Sequence, residues 1–233
     1  MTHGKRYQKA KSSIDEKKSY DPKEAVSLIK ETAKGLSFDA TVELHVRLAI
    51  DTEKGEEQVR GNLALPHGTG KVKRVAAFVD VDKEKEAKEA GADLVGGEEL
   101  ISEISKSGKC DFEEAVAIPS MMPKLAKIAK ILGPKGLMPS PKNDTVGTNV
   151  GAMIRAIKGG RVSFKNDDSG NLHLSIGKAS FQNEMLIENL DTALQAIKKN
   201  RPRTVKGAFI KKAFLTTTMG PSLVLQYDPV EKA

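Results

Sequence analysis

The sequence predicts a mixed α/β and α+β protein of two domains, one built from both ends of the chain and one inserted between them. Three observations carry this. Residues 41–50 alternate apolar and polar, the signature of a strand with one wet face. From residue 72 short unbroken apolar runs are separated by charged helical segments, which predicts a parallel sheet buried on both faces. After Gly159 and Gly160 the alternation returns. The N-terminal piece offers one helix and one strand, too little for a sheet of its own. Residues 1–67 and 160–233 are therefore expected to fold together as an α+β sandwich, with 68–159 inserted as a three-layer α/β domain.

The elements follow in order. Asp21 caps a first helix, Pro22 suits its first position and Glu24 completes a capping box. Ala25, Val26, Ile29 and Ala33 form the apolar stripe, and Gly35 ends the helix. The strand 41–50 puts Val42, Leu44, Val46, Leu48 and Ile50 on one face and Glu43, His45 and Arg47 on the other. In the inserted domain, strands are expected at 75–79 and 115–118, and helices at 82–90, 98–106, 124–132 and 150–158. A hairpin follows, with strand 161–165, a turn at 167–170, and Leu172, Leu174 and Ile176 on the returning strand. A helix at 184–199 and strands at 208–216 and 223–227 complete the chain.

Composition narrows the function. No apolar run approaches the ~18 residues of a spanning helix, and the N-terminus has no signal-peptide core, so the chain is expected to stay in the cytosol, away from membranes. One cysteine, Cys110, excludes a disulfide framework and a Cys-rich zinc site. His3, His45, His67 and His173 are far apart in sequence, so no metal centre is expected. The net charge of +7 is unevenly spread: residues 160–233 hold 11 basic against 7 acidic side chains, and 198–212 and 115–143 are basic and acid-free. Such runs favour contact with a polyanion.

Tests for chemistry return nothing catalytic. The segment 68–71, GTGK, lacks the first glycine of a phosphate loop, because Leu65 stands there, and Val72 replaces the Ser or Thr. It reads instead as a hinge between domains, with His67, Gly68 and Gly70 at one crossing and Gly159 and Gly160 at the other. No GxGxxG follows the first strand of the inserted domain, and no GxSxG is present. No cofactor and no enzymatic activity are expected. The segment 131–142, ILGPKGLMPSPK, is a proline-stiffened basic loop.

The segments LPHGTGK (65–71), GADLVGG (91–97), MMP (121–123), ILGPKGLMPSPK and TTTMGP (216–221), in this order, make the chain similar to the ribosomal protein L-one family of bacteria, nearly end to end. The resemblance implies that the inserted domain is Rossmann-like. It implies binding to large-subunit ribosomal RNA at the mobile stalk near the tRNA exit site, as a ribosome-associated monomer that assists release of deacylated tRNA. It further implies repression of its own operon messenger RNA. The RNA surface it implies maps onto Phe38, Thr41, Glu43, Thr216, Thr217, Thr218, Met219 and Gly220, with Lys165, Asp167, Gly170, His173, Lys178 and Ser180 nearby. Threonine hydroxyls and the open backbone at a glycine suit ribose hydroxyls, which distinguish RNA from DNA. The turn 166–170 reads NDDSG, where relatives commonly carry lysine at the position of Asp168, so no phosphate contact is assigned to Asp168.

Overall fold

The structure, a computed structural model, describes residues 4–15 and 18–226. The first half of the chain runs α1 (Lys5–Ser12), β1 (Ser19–Tyr20), α2 (Pro22–Ala33), β2 (Thr41–Leu48), β3 (Arg60–Ala64), β4 (Val75–Phe78), α3 (Val81–Glu89), β5 (Leu94–Gly96) and α4 (Glu98–Ser107). The second runs β6 (Glu114–Ala117), α5 (Met122–Leu125), α6 (Ala129–Leu132), α7 (Val150–Lys158), β7 (Arg161–Lys165), β8 (Asn171–Lys178), α8 (Asn183–Lys199), β9 (Ile210–Thr217) and β10 (Leu223–Leu225). The chain divides into two compact units, Met1–Gly70 with Val162–Ala233, and Lys71–Arg161.

The first unit holds a five-stranded sheet in the order β1-β10-β9-β2-β8, and a separate pair, β3-β7. β2 lies antiparallel to both β8 and β9. Its apolar parity, Val42, Leu44, Val46 and Leu48, is fully buried with Leu172, Leu174, Ile176, Ala213 and Leu215. These side chains pack with Ala25, Val26 and Ile29 of α2 and Leu186, Leu190, Ala193 and Ile197 of α8. Burying each large aliphatic contributes about 1.5–3 kcal/mol, so the two helices hold this face of the sheet and leave the other parity outside. α2 begins as expected, with the Asp21 carboxylate accepting from the Lys23 N–H at 3.2 Å. Glu24 does not close a capping box; its Oε1 accepts from Lys18 Nζ at 2.8 Å instead. Gly35 follows the helix at φ +85°, a conformation that favours glycine.

The second unit is built on a parallel sheet in the order β5-β4-β6. Val75, Ala76, Ala77, Phe78 and Val79 are all fully buried. α3 packs on α7, and α4 packs on the helical run 119–132.

Several elements differ from expectation. The helix expected at 124–132 is a chain of short turns, with 3-10 segments at Pro119–Met121 and Ala126–Ile128 between α5 and α6. Pro123 has no amide hydrogen to donate, and the Met122 and Ala129 N–H groups bond three residues back, to Pro119 and Ala126, which tightens the coil. The N-terminal piece also holds more than one helix and one strand: α1, β1 and β3 join it, and β5 joins the second unit. These are too short or too polar to show a period. The expected strand 223–227 is seen as Leu223–Leu225, and Tyr227 lies outside the described residues.

Candidate nucleic-acid interface

Because β2 runs antiparallel to β8 and β9, its N-terminal end meets the C-terminal ends of both neighbours. This brings together Phe38, Thr41, Glu43, Lys178, Ser180 and the segment 216–220. The Thr218 N–H donates to the Thr41 carbonyl at 2.9 Å, and the Thr218 hydroxyl donates to Glu43 Oε1 at 3.1 Å. Lys178 Nζ donates to Thr41 Oγ1 at 3.0 Å and to the Asp39 carbonyl at 3.2 Å. The Asp39 carboxylate in turn accepts from the Ser180 N–H at 3.1 Å and hydroxyl at 2.7 Å. Phe38 and Met219 stand out into solvent, 47% and 70% exposed.

The 216–220 turn is tightly specified. The Gly220 N–H donates to the Thr217 carbonyl at 2.7 Å, and the Thr216 hydroxyl donates to the carbonyls of Gly220 and Pro221, both at 3.3 Å. Met219 adopts φ +63°, a left-handed conformation that costs a non-glycine residue about 1–2 kcal/mol. Thr217 departs from expectation. It shares the parity of Ala213 and Leu215, its side chain faces the core, and its hydroxyl is buried with no hydrogen-bond partner. Thr217 can therefore present only backbone to a ligand.

A polar track runs along the open face of the sheet. Glu43 Oε2 lies 3.5 Å from His45 Nε2, His45 Nδ1 lies 2.7 Å from His173 Nδ1, and His173 Nε2 lies 3.5 Å from Asp167 Oδ2. Two histidines 128 residues apart in sequence thus meet across β2 and β8, although among the described residues no group of three or more ligating side chains could hold a metal ion. One facing nitrogen must donate and the other accept, so the pair carries a proton on only one of them.

Lys165, Asp167 and Gly170 lie at the other end of β8 from Lys178, about 23 Å along the strand. The Asp167 carboxylate accepts from the Asn171 N–H at 2.7 Å, Asn171 Nδ2 at 2.9 Å and the Ser169 N–H at 2.9 Å. These donors, the Asn171 backbone foremost, hold its pKa down to about 2, so it stays ionised. Gly170, at φ +76°, gives its carbonyl to the Leu48 N–H at 2.9 Å. Arg47 donates to Asn171 Oδ1 at 3.1 Å and pairs in register with Lys212.

Burial first, and then the charge of His173, lower the pKa of His45 below its ordinary 6.5, while Glu43 raises it. As pH falls, the unfolded chain therefore takes up this proton before the folded one, and stability declines from just above 6.5 toward the depressed value. The thermal midpoint is expected to drop as pH falls through the ordinary histidine value of 6.5, and to drop less in His45→Gln. Equal drops in the two proteins would remove His45 as the cause.

The residues expected at the hinge are placed unevenly. His67 donates its backbone N–H to Asn189 Oδ1 at 3.2 Å and sets Nε2 2.6 Å from Glu188 Oε2, while the Gly68 carbonyl accepts from Asn189 Nδ2 at 3.0 Å. Both are thereby tied to α8. At Gly70, φ +73°, an added Cβ would stand 2.7 Å from the Lys178 side chain. Gly159 has φ −74° and Gly160 φ +94°.

Residues that the reading of the sequence did not assign also take part: Arg6, Asp39, His45, Arg47 and Asn171 at the site, and Asn189 behind it, where it ties His67 and Gly68 to α8. His45 and Arg47 share the wet parity of β2, a usable signal. Asn189 also left one, as a polar residue within the apolar stripe of α8.

These observations define an α+β protein whose five-stranded sheet buries one face under two helices and leaves the other open as a polar surface. Residues 29–221 match the model of the Ribosomal protein L1p/L10e family, and the chain belongs to that family. It is 48% identical over 221 residues to the large ribosomal subunit protein uL1 of Thermosipho melanesiensis, covering 95% of each chain. It is 47% identical over 231 residues to that of Salinispora tropica, covering 99% of this chain and 96% of the relative. With that of Deinococcus radiodurans it shares 47% over 224 residues, 96% of this chain and 95% of the relative. Membership in a family of ribosomal proteins makes the chain a structural component and not an enzyme. Among the described residues no helix is long and apolar enough to cross a membrane.

Proposed function

We propose that the chain binds large-subunit ribosomal RNA through the end of the five-stranded sheet where β2, β8 and the 216–220 turn meet. The observation that carries this reading is the convergence of exposed Phe38 and Met219 around the bonded set Thr41, Glu43 and Thr218. Hydroxyls, a carboxylate and an exposed turn suit ribose and base edges more than phosphate, as reading a folded RNA requires. The cations Arg47, Lys165 and Lys212, toward the far end of the track, suit the backbone of the same RNA. With seven Phe, three Tyr and no Trp, the chain is poorly equipped to stack a run of single-stranded bases.

In this reading the cytoplasmic protein sits as a monomer at the mobile stalk near the tRNA exit site. There it assists release of deacylated tRNA, and off the ribosome it represses its own operon messenger RNA. The unit Lys71–Arg161 serves as an inserted Rossmann-like domain, with the hinge at His67, Gly68 and Gly70 on one crossing and at Gly159 and Gly160 on the other.

The test titrates the full chain with a structured large-subunit ribosomal RNA fragment and a DNA duplex in competition. RNA is expected to win. Thr218→Ala is expected to weaken RNA binding by about 1 kcal/mol, the contribution of one hydrogen bond, and Met219→Ala to weaken it as well, both with little change in thermal midpoint. Wild-type affinity in both variants would place the RNA surface elsewhere.

A further inference from the structure

The turn that meets RNA in this reading is held from outside the sheet. One guanidinium nitrogen of Arg6, on α1, donates to the Met219 carbonyl at 2.6 Å, and the other donates to the Thr32 carbonyl at 3.4 Å. Thr32 lies in the last turn of α2, where carbonyls have no partner within their own helix. Arg6 thus joins the C-terminal end of α2 to the one residue of the turn that adopts a left-handed backbone. A planar fork with several donors can serve two carbonyls together, which a lysine ammonium on a flexible stem does less well. No side chain of α1 is fully buried, and Arg6 is half-buried with its guanidinium on these two carbonyls.

We propose that Arg6 is a positioning residue for RNA recognition: it sets the Met219 backbone in its left-handed conformation and so presents the 216–220 turn to RNA, without itself contacting phosphate. The proposal rests on the reading that this turn meets RNA. A cation so placed has an obvious second use, as a phosphate contact, and the two roles separate by salt. Removing a phosphate contact lowers the slope of log affinity against log salt by about one, whereas loosening a turn leaves that slope unchanged.

The experiment measures affinity of the full chain for the ribosomal RNA fragment over a range of salt, for wild type, Arg6→Gln, Arg6→Lys, Met219→Ala and Arg6→Gln with Met219→Ala. Arg6→Gln is expected to weaken binding about tenfold with the wild-type salt slope, since a charge-assisted hydrogen bond is lost. Arg6→Lys is expected to weaken it too, because the charge remains and the fork does not. The double variant is expected to be less impaired than the product of the single effects, as for residues acting through one element. A shallower slope in Arg6→Gln, with affinity retained in Arg6→Lys, would make Arg6 a phosphate contact and overturn the proposal. Wild-type affinity in Arg6→Gln while Met219→Ala is impaired would overturn it and leave the turn as the RNA surface. Wild-type affinity in Met219→Ala and in Thr218→Ala would overturn the functional reading and the proposal together.

Discussion

Gly220→Ala is expected to lower RNA affinity about tenfold or more while the protein still folds. A Cβ at this position would stand 2.2 Å from the Thr217 hydroxyl oxygen and 3.2 Å from the Thr217 carbonyl, the group that accepts the Gly220 N–H. Contacts between non-bonded atoms that close are not tolerated, and the Thr217 side chain has little freedom to move. It is β-branched and 2% exposed, so one rotation of the hydroxyl away puts its methyl in the same space, and the other must move both branches within a closed core. The turn must shift instead, at a cost of about 1–3 kcal/mol for an overpacked site. The shift carries Met219 and Thr218 with it. Adding Thr217→Ala to Gly220→Ala removes the offending oxygen and is expected to recover most of the lost affinity. Titration with the ribosomal RNA fragment, beside thermal denaturation, checks both variants. Wild-type binding by Gly220→Ala would show that the turn geometry does not govern recognition.

Asn189→Leu is expected to destabilise the protein by about 3 kcal/mol, the largest effect predicted for a single side chain away from the RNA surface. Asn189 is fully buried on α8. Its Nδ2 donates to the carbonyls of Gly68 at 3.0 Å and Ile176 at 2.8 Å, and its Oδ1 accepts from the His67 N–H at 3.2 Å. Leucine fills a similar volume and satisfies none of the three, leaving the buried Ile176 carbonyl and the half-buried His67 N–H and Gly68 carbonyl without their partner, at about 1–3 kcal/mol for each group that water does not reach. Asn189→Asp changes the shape least and is expected to be no better, because a carboxylate would face two carbonyls it cannot donate to. For a chain of this size the midpoint should fall by about 6–12 °C. A fall of less than about 2 °C in Asn189→Leu would mean that solvent replaces the lost partners.

Much of the fold was legible because β2 carries its own pattern: the parity of Val42, Leu44, Val46 and Leu48 separated core from open face without any structure. Its pairing was not legible. Which residues of β8 and β9 lie opposite Glu43 and His45 depends on contacts more than a hundred positions apart, and strand alternation fixes parity but not register. The parity argument, carried to β9, already held the warning about Thr217, which falls in step with Ala213 and Leu215. Met219 is different in kind. Its left-handed backbone is imposed by the turn and by Arg6, and a methionine gives no hint of it. The helical run at 119–132 misled because its apolar spacing is helical while its prolines break the hydrogen-bond ladder.

The insertion of β2 between two strands from the far end of the chain has a consequence for biosynthesis. Thr41 and Thr218, which share a hydrogen bond, are separated by 177 positions. At about 5–20 residues per second a ribosome needs about 10–35 s to deliver β9 after β2 has emerged. Until β8 emerges, which takes up most of that interval, the apolar stripe of β2 has no strand to pair with, whereas Lys71–Arg161 already has all of its own strands and can collapse as soon as it is released. Maturation should therefore proceed from the middle outward, with the nascent N-terminal segment as the natural client of a holding chaperone. A circular permutant that joins the old termini and opens the chain within the middle unit would place β9 and β2 close in sequence, and should refold this sheet faster than the natural order does.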